Sequence, residues 1–271
     1  RKKTGGRLRM FISGGAPLAA DVARLFFAAG LPVNEGYGLT ETSPVLAANQ
    51  PGGQRLGTVG RPYPGVELRI GPESEILAKS PGVMKGYWKN PEATAEAIDA
   101  DGWFHTGDVG ELSDDGYLTI TDRLKDIIVT AGGKNLAPQP LELHATRSPF
   151  VAQAAVIGDR RPFPILLVVP DWERVAEWAG ANDVDVADRR AAAEDTRVRE
   201  LLEAQTLGRM DRFARHETPK RIAVVADEFT VEDELLTPTL KVRRRAVERR
   251  YADLIDGLYE RATTEHGVRP G

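Results

Sequence analysis

The sequence predicts an α/β piece over 1–50, a small, mostly antiparallel β unit over 51–121 and a compact α+β module over 127–271. Three observations carry that expectation. Residues 8–43 read strand, glycine turn, helix, strand, the order of an open α/β sheet. From 51 to 121 Gly and Pro recur every few positions, with short alternating segments between turn signals. Beyond a polar connector at 122–126, helical and strand patterns resume as a set of their own.

Taken in order, the apolar run 8–12 reads as a buried strand, and Ser13-Gly-Gly-Ala-Pro-Leu18 turns it into a helix. Leu18, Val22, Leu25 and Phe26 stand at helical spacing, Pro17 suits a first turn and Gly30 closes the helix. A second short strand near Pro32 and Val33 delivers 35–43. Ligands of open α/β sheets collect beyond the carboxyl ends of the strands, so both glycine-bearing turns are expected to face one crevice. In the β unit 66–70 alternates, Ser113-Asp-Asp-Gly116 turns between strands at 108–112 and 117–121, and Asn90 caps a helix at 91–98.

The stretch 122–135 runs from charged residues at 122, 123, 125 and 126 through the apolar run 127–129 to Gly132-Gly133, the order of a hinge leading into a hairpin. A helix at 141–146, strands at 151–157 and 165–169, and a helix at 172–179 follow. A longer helix is expected to carry Val198, Leu202, Met210 and Phe213 on one face. A strand at 222–226 and a terminal helix from about Val242 complete the chain, and the polar, alanine-rich stretch 181–197 reads as mobile.

At 271 residues, with 41% apolar and 28% charged residues, the chain has the composition of an ordinary globular protein with room for two cores. No apolar run approaches the roughly 20 residues of a membrane span, and 1–6 does not read as a secretory leader. A cytoplasmic address fits. The absence of cysteine removes disulfides, thiolate-zinc sites and a self-acylated thiol. A net charge of −4 offers no global field for nucleic acid, and the basic run 241–250 reads as the solvated face of a helix.

The richest motif is Gly36-Tyr-Gly-Leu-Thr-Glu41, which offers an aromatic plane, a hydroxyl and a carboxylate within a few residues, between glycines that let a backbone approach a ligand. Read locally, it is equally a tyrosine-bearing turn with capping Thr and Glu. It is not a dinucleotide fingerprint, because the third glycine is missing. Ala131-Gly-Gly-Lys134 is not a Walker A loop either, since Ile128 stands where that motif needs Gly and Asn135 where it needs Ser or Thr. His105 carries no case for catalysis. Arg243, Arg244 and Arg245 need no ligand if they lie on an exposed helix.

Four motifs in sequence, 36–42, His105-Thr-Gly-Asp108, 122–135 and Thr237-Pro-Thr-Leu-Lys-Val-Arg243, resemble the second half of an adenylate-forming acyl-CoA synthetase. The match is close to the long-chain fatty acid:CoA ligases. The resemblance implies that 1–121 ends a large domain, the α/β piece followed by a β-barrel-like unit, that 122–126 is a hinge, and that 127–271 is a small, mobile C-terminal domain. It implies the cofactors and partners ATP, Mg²⁺, a fatty acid and coenzyme A, with membrane contact of the parent protein left open.

Residue by residue, the resemblance sets Gly14, Gly15 and Ala16 along the adenine and acyl wall. Gly36 and Gly38 flank Tyr37, whose ring it sets against adenine. Thr40 becomes a phosphate contact and Glu41 the Mg²⁺ ligand, a role suited to a hard oxygen donor. Asp108 would bind the ribose and Arg123 ribose or phosphate. Lys125 aligns with the hinge residue and Lys241 with the catalytic lysine. Gly132, Gly133 and Lys134 align with the coenzyme A tunnel.

The resemblance covers nearly all of 1–271, while the phosphate loop of full-length members and most of their acyl tunnel precede this region. The chain is therefore expected to be a C-terminal fragment that turns over little alone. Two alternatives stay open: an acyl-AMP ligase that loads a carrier protein, and a non-catalytic interaction module that keeps the fold.

Overall fold

The computed structural model describes residues 5–266, which divide into two units, Arg1–Lys125 and Asp126–Gly271. In the first unit β1 (Phe11–Ser13), α1 (Ala20–Ala28) and β2 (Val33–Gly38) form the expected strand-helix-strand unit, with β1 and β2 parallel. β3 (Val45–Ala48) and β4 (Arg61–Pro62) extend that sheet by antiparallel pairing, in the order β1-β2-β3-β4. Four further strands, β5 (Glu67–Ile70), β6 (Glu75–Lys79), β7 (Phe104–Leu112) and β8 (Leu118–Arg123), make a second, fully antiparallel sheet in sequence order. Between β6 and β7 lies α2 (Pro91–Ala97), whose Asn90 cap accepts from the Ala93 N–H. Tyr37, Leu46 and Ala47 of the first sheet pack with Ile76, Ala78 and Leu118 of the second, so one core serves both.

Several expectations need correction here. The first strand is 11–13 rather than 8–12, and it is not buried: Ile12 is 78% exposed. β1 has a sheet neighbour on one side only, and strand alternation aims Phe11 at Phe26 of α1 while Ile12 points to the uncovered face. Pro17 precedes α1 instead of opening it, and Val22 and Leu25 are exposed, leaving Ala23 as the buried residue of the helix. Strand β6 has no counterpart in the sequence reading, although 75–78 are buried. A central strand covered on both faces lacks the alternation that a half-exposed strand shows.

The second unit begins with the expected hairpin, β9 (Ile128–Val129) and β10 (Asn135–Leu136). After α3 (Pro138–Ala145) come β11 (Val151–Ile157) and β12 (Ile165–Pro170), antiparallel to each other. α4 (Trp172–Asn182), α5 (Arg189–Glu194) and α6 (Thr196–Gln205) follow, capped by Asp171, Asp188 and Asp195, each accepting from backbone N–H groups of the first turn. β13 (Ile222–Val224) joins β12 in parallel, and α7 (Arg244–Arg250) and α8 (Ala252–His266) close the chain.

Alternation in this three-stranded sheet sorts two cores. Ala154, Val156, Leu166, Val168, Ile222 and Val224 face the layer that contains α3, α4 and α6. Ala155, Ile157, Ile165, Leu167, Val169 and Ala223 face the layer of α7 and α8. β12 lies in the middle and is buried along its whole length, as its unbroken apolar run requires.

The helix expected to carry Val198 through Phe213 stops at Gln205. The buried Thr206 hydroxyl donates to the Leu202 carbonyl at 2.6 Å, a back-bond that competes with helix continuation, and Met210 and Phe213 reach the same core from beyond the break. Within 181–197 the structure forms α5 and buries Ala192, where a mobile stretch was expected. The terminal helix starts at Arg244 and breaks at Tyr251, giving two helices where one was expected.

Candidate active site

Asp108 and Arg123 face each other across the β7–β8 ladder. Antiparallel partners on one face lie within side-chain reach, and here Arg123 Nε donates to Asp108 Oδ1 at 3.0 Å. The other carboxylate oxygen accepts from the Tyr37 hydroxyl at 2.7 Å. Asp108 is 6% exposed and Tyr37 8%, so the two bonds hold a charge that would be costly to bury alone. Burial, and after it the negative charge of Asp108, push the Tyr37 phenol well above the ordinary tyrosine range. A carboxylate has roughly four acceptor positions, so Asp108 retains capacity for further hydroxyl donors.

The stretch of β7 before Asp108 is braced by residues that the sequence reading passed over. Buried Glu75 accepts from the Gly107 N–H at 3.0 Å and meets His105 Nδ1 at 2.8 Å. Thr106 Oγ1 donates to the Ile76 carbonyl and accepts from the Asp108 N–H. His105 thus has a buried carboxylate as partner. Glu75 could have been noticed only as a carboxylate next to the apolar run 76–78.

The two glycine motifs meet at the ends of β1 and β2. Ser13 pairs with Glu35, and a Cβ placed on Gly14 would come within 3.2 Å of the Gly36 carbonyl oxygen, so Gly14 and Gly36 lie in near backbone contact. Gly15 sits at φ 81°, in the left-handed region that favours glycine, and Ala16 is exposed beside it. Gly36, Tyr37 and Gly38 lie inside β2 rather than in a turn. A Cβ on Gly38 would fall 1.6 Å from the Pro44 carbonyl oxygen, so the return into β3 demands glycine there. Half-buried Glu35 has its carboxyl raised above the ordinary range by burial, with the Leu18 backbone N–H pulling the other way.

Thr40, Glu41 and Thr42 make one 3₁₀ turn. The buried Thr42 hydroxyl accepts from the Leu39 N–H at 3.0 Å and stands 2.8 Å from the Pro44 carbonyl, which fixes the turn. Thr40 is left exposed and Glu41 half-buried. Glu41 Oε1 accepts from the Tyr87 hydroxyl at 3.0 Å, a contact 46 residues apart in sequence that nothing local signals. Among the described residues no group of three or more His, Cys, Asp or Glu could hold a metal ion, and no helix is long and apolar enough to cross a membrane.

Asp122 and Arg123 prove to be the last residues of β8, so the connector proper is the 3₁₀ turn Leu124–Asp126, with Lys125 exposed. In the second unit Gly132, Gly133 and Lys134 form the exposed tip of the β9–β10 hairpin. Gly133 adopts φ 69° there and donates to the Thr130 carbonyl at 2.8 Å. Lys241, half-buried, stands on a second hairpin: Leu236 bridges Val242, Thr237 N–H donates to the Lys241 carbonyl at 2.8 Å, and Lys241 N–H donates to Thr237 Oγ1 at 3.0 Å. Within the first unit, therefore, the structure joins Gly14 to Gly36 and Tyr37 to Asp108 and Arg123. Lys241 and the Gly132–Lys134 tip belong to the other unit.

Comparison with known proteins finds two matching family domains. The AMP-binding enzyme family matches residues 1–88, and its AMP-binding enzyme C-terminal domain matches residues 125–263. Long-chain-fatty-acid–CoA ligase FadD15 of Mycobacterium bovis is 41% identical over 270 residues, covering 96% of this chain and 44% of that protein. ATP-bound MatB of Rhodopseudomonas palustris aligns with a TM-score of 0.69 at 30% identity, over 93% of this chain and 47% of that one. The A-PCP didomain of carboxylic acid reductase from Segniliparus rugosus, in complex with AMP, aligns with a TM-score of 0.76 at 27% identity, over 97% of this chain and 36% of that one. The chain thus spans less than half the length of each of these relatives. With its C-terminal-domain match extending over more than half of the sequence, the chain belongs to the AMP-binding, adenylate-forming enzyme family.

Proposed function

We propose that the full-length protein carrying this chain activates a long-chain fatty acid with ATP and passes the acyl group to coenzyme A. The observation that supports this most is the buried Asp108 held between Tyr37 and Arg123, an aromatic, carboxylate and guanidinium set suited to a nucleoside. In the first step a carboxylate oxygen attacks the α-phosphorus of ATP, the bond to the β,γ-unit breaks, and pyrophosphate leaves. In the second the coenzyme A sulfur attacks the acyl carbon, its proton is lost, and AMP leaves. The chemistry asks the protein for placed cations and donors rather than for a covalent group.

Asp108 accepts ribose hydroxyls, Arg123 meets ribose or phosphate, and Tyr37 offers its remaining surface to adenine. The backbone at Gly14, Gly15, Ala16, Gly36 and Gly38 lines the nucleotide and the acyl group, and Thr40 contacts phosphate. Glu41 is a single hard oxygen donor on a fixed turn, which fits Mg²⁺, an ion that keeps waters and substrate phosphates and needs only one or two carboxylates. Bound there, it would neutralise phosphate charge. Lys241 offsets the charge that develops on the α-phosphate. The chain up to Arg123 is the end of the large domain and 127–271 the small domain, with the turn at 124–126 the hinge. Rotation at Lys125 then withdraws Lys241 and presents Gly132, Gly133 and Lys134 to the thiol arm. A cytoplasmic enzyme is the corresponding setting.

The test is Lys241→Ala in the full-length protein. Pyrophosphate exchange should collapse while thioester formation from supplied acyl-adenylate survives; an unchanged exchange rate defeats the assignment. A second reading, transfer to a carrier-protein thiol, is favoured by the likeness to an adenylation domain solved together with its PCP. Comparing coenzyme A with a phosphopantetheinylated carrier protein as acceptor decides between them.

A further inference from the structure

We infer that Arg244, through Glu142 and the Val156 peptide, is the positioning residue that holds the Lys241 hairpin in register with its domain. The inference rests on the reading of Lys241 given above. β11 is an edge strand of the β11-β12-β13 sheet, and at Val156 both backbone groups turn away from β12. An unpaired edge peptide is normally left to solvent or to another strand. Here two side chains cover it: Glu142 Oε1 accepts from the Val156 N–H at 2.8 Å, and Arg244 Nη1 donates to the Val156 carbonyl. Arg244 also donates to Glu142 Oε1, closing a three-membered network among α3, β11 and the first residue of α7. The side chains are 17% and 14% exposed, so the pair is largely shielded from solvent and salt.

Arg244 follows Lys241 by three residues, and the chain between them has little freedom. The hairpin root is packed, with Leu235 and Leu236 buried and Val242 against the same core. Arg243 N–H donates to the Leu235 carbonyl at 2.8 Å, and Leu235 and Leu236 donate to the Thr230 carbonyl. Its tip is the opposite: Leu240 is 70% exposed and sits at φ 61°, a conformation costly for a branched side chain. Such a tip keeps its shape only when both ends are fixed. The apolar core fixes the 235–236 side, and the Arg244 network fixes the side that leads into α7. Lysine replaces Arg244 only in part: both bonds come from the one Nη1 of a planar, weakly hydrated group, whereas an ammonium is strongly hydrated and sits on a flexible stem.

The experiment uses the full-length protein with Arg244→Ala, Arg244→Lys, Glu142→Gln and, beside them, Lys241→Ala. A displacement of about 1 Å at a charge-stabilising group costs on the order of 10²-fold, so Arg244→Ala should lower kcat for pyrophosphate exchange by about 30- to 100-fold. KM for ATP and thioester formation from supplied acyl-adenylate should stay within about 3-fold, because neither uses Lys241 at the α-phosphate. Amide hydrogen exchange over 236–243 should quicken, and Arg244→Lys and Glu142→Gln should fall between the wild type and Arg244→Ala. If Arg244→Ala fails to fold, Arg244→Lys and Glu142→Gln carry the same readouts. Both half-reactions falling together in step with Tm, or an unchanged exchange rate, overturns the inference. Loss of exchange in Lys241→Ala with Arg244 variants unaffected overturns this inference alone; Lys241→Ala at wild-type rate overturns the reading of Lys241 on which it rests.

Discussion

The Tyr37 hydroxyl donates to Asp108 Oδ2 across 71 residues of sequence, at 2.7 Å, and ties the glycine-rich strand of one sheet to strand β7 of the next. A hydrogen bond to a charged, buried acceptor contributes about 1.5–3 kcal/mol. Tyr37→Phe keeps the ring in the shared core and removes only the donor, so it should lower stability by about that amount in chemical denaturation, with the slope unchanged. The phenol's raised pKa adds a sign. The native state keeps this proton more tightly than the unfolded chain, whose tyrosine ionises near 10, so stability should decline as pH rises above that value. Tyr37→Phe should show a shallower alkaline decline; an identical profile would mean that the phenol is not isolated from solvent.

Glu35 titrates at the other end of the range. Its folded-state pKa lies above its ordinary 4.5, so between the two values the native state binds more protons than the unfolded one. Stability from this group is present at low pH and is lost as pH rises through that window. Glu35→Gln retains an acceptor for the Leu18 N–H and carries no charge to bury. The variant should equal the wild type below about pH 4 and exceed it at neutrality. A variant less stable than the wild type at pH 7 would show that the ionised form has a partner worth more than its desolvation.

The glycines of β2 separate steric from functional demand. Gly38→Ala drives a methyl into the Pro44 carbonyl at 1.6 Å, which only backbone movement relieves, and should cost about 2 kcal/mol or more. Gly36→Ala meets nothing nearer than 3.7 Å and should change stability by less than about 1 kcal/mol. If Gly36 lets a nucleotide approach the backbone, its alanine variant in the full-length protein should still weaken ATP binding, measured by calorimetry. Equal effects of the two substitutions on Tm would contradict this division.

These tests also mark what was legible in the sequence. The strand-helix-strand start, the hairpin at 128–136 and the strands at 151–157 and 165–169 follow from local signals: Gly30 after α1, Gly132-Gly133 between short strands, an unbroken apolar run at 165–169. What escaped was set by partners far along the chain. Nothing near Glu75, Tyr87 or Glu142 announces that the first braces Gly107, the second meets Glu41, or the third covers the edge of β11. The exposed Ile12 and the break at Thr206 escaped for a related reason, since apolar periodicity reports which residues can be buried and not where a sheet ends or a hydroxyl competes with a helix.

The second unit offers a test of its layering. Leu141 on α3 and Leu258 on α8 are 1% and 4% exposed, in cores on opposite faces of the β11-β12-β13 sheet. Each truncation to Ala should cost about 2–5 kcal/mol, by lost transfer energy and by the cavity left behind. The sheet between them is close-packed, with Val156, Leu166 and Val168 facing one core and Ile157, Leu167 and Val169 facing the other. Because the two leucines share no packing partner, the double variant should lose the sum of the single losses within about 0.5 kcal/mol. Guanidinium unfolding of the three variants measures it, with urea at lower concentration if the double variant is near its midpoint in buffer. A coupling above about 1 kcal/mol would mean that the sheet shifts as a body when either face is hollowed. In that event the Arg244 network, which grips the edge of the same sheet at Val156, would move with it, and the position of the Lys241 hairpin would depend on core packing as well as on the clamp.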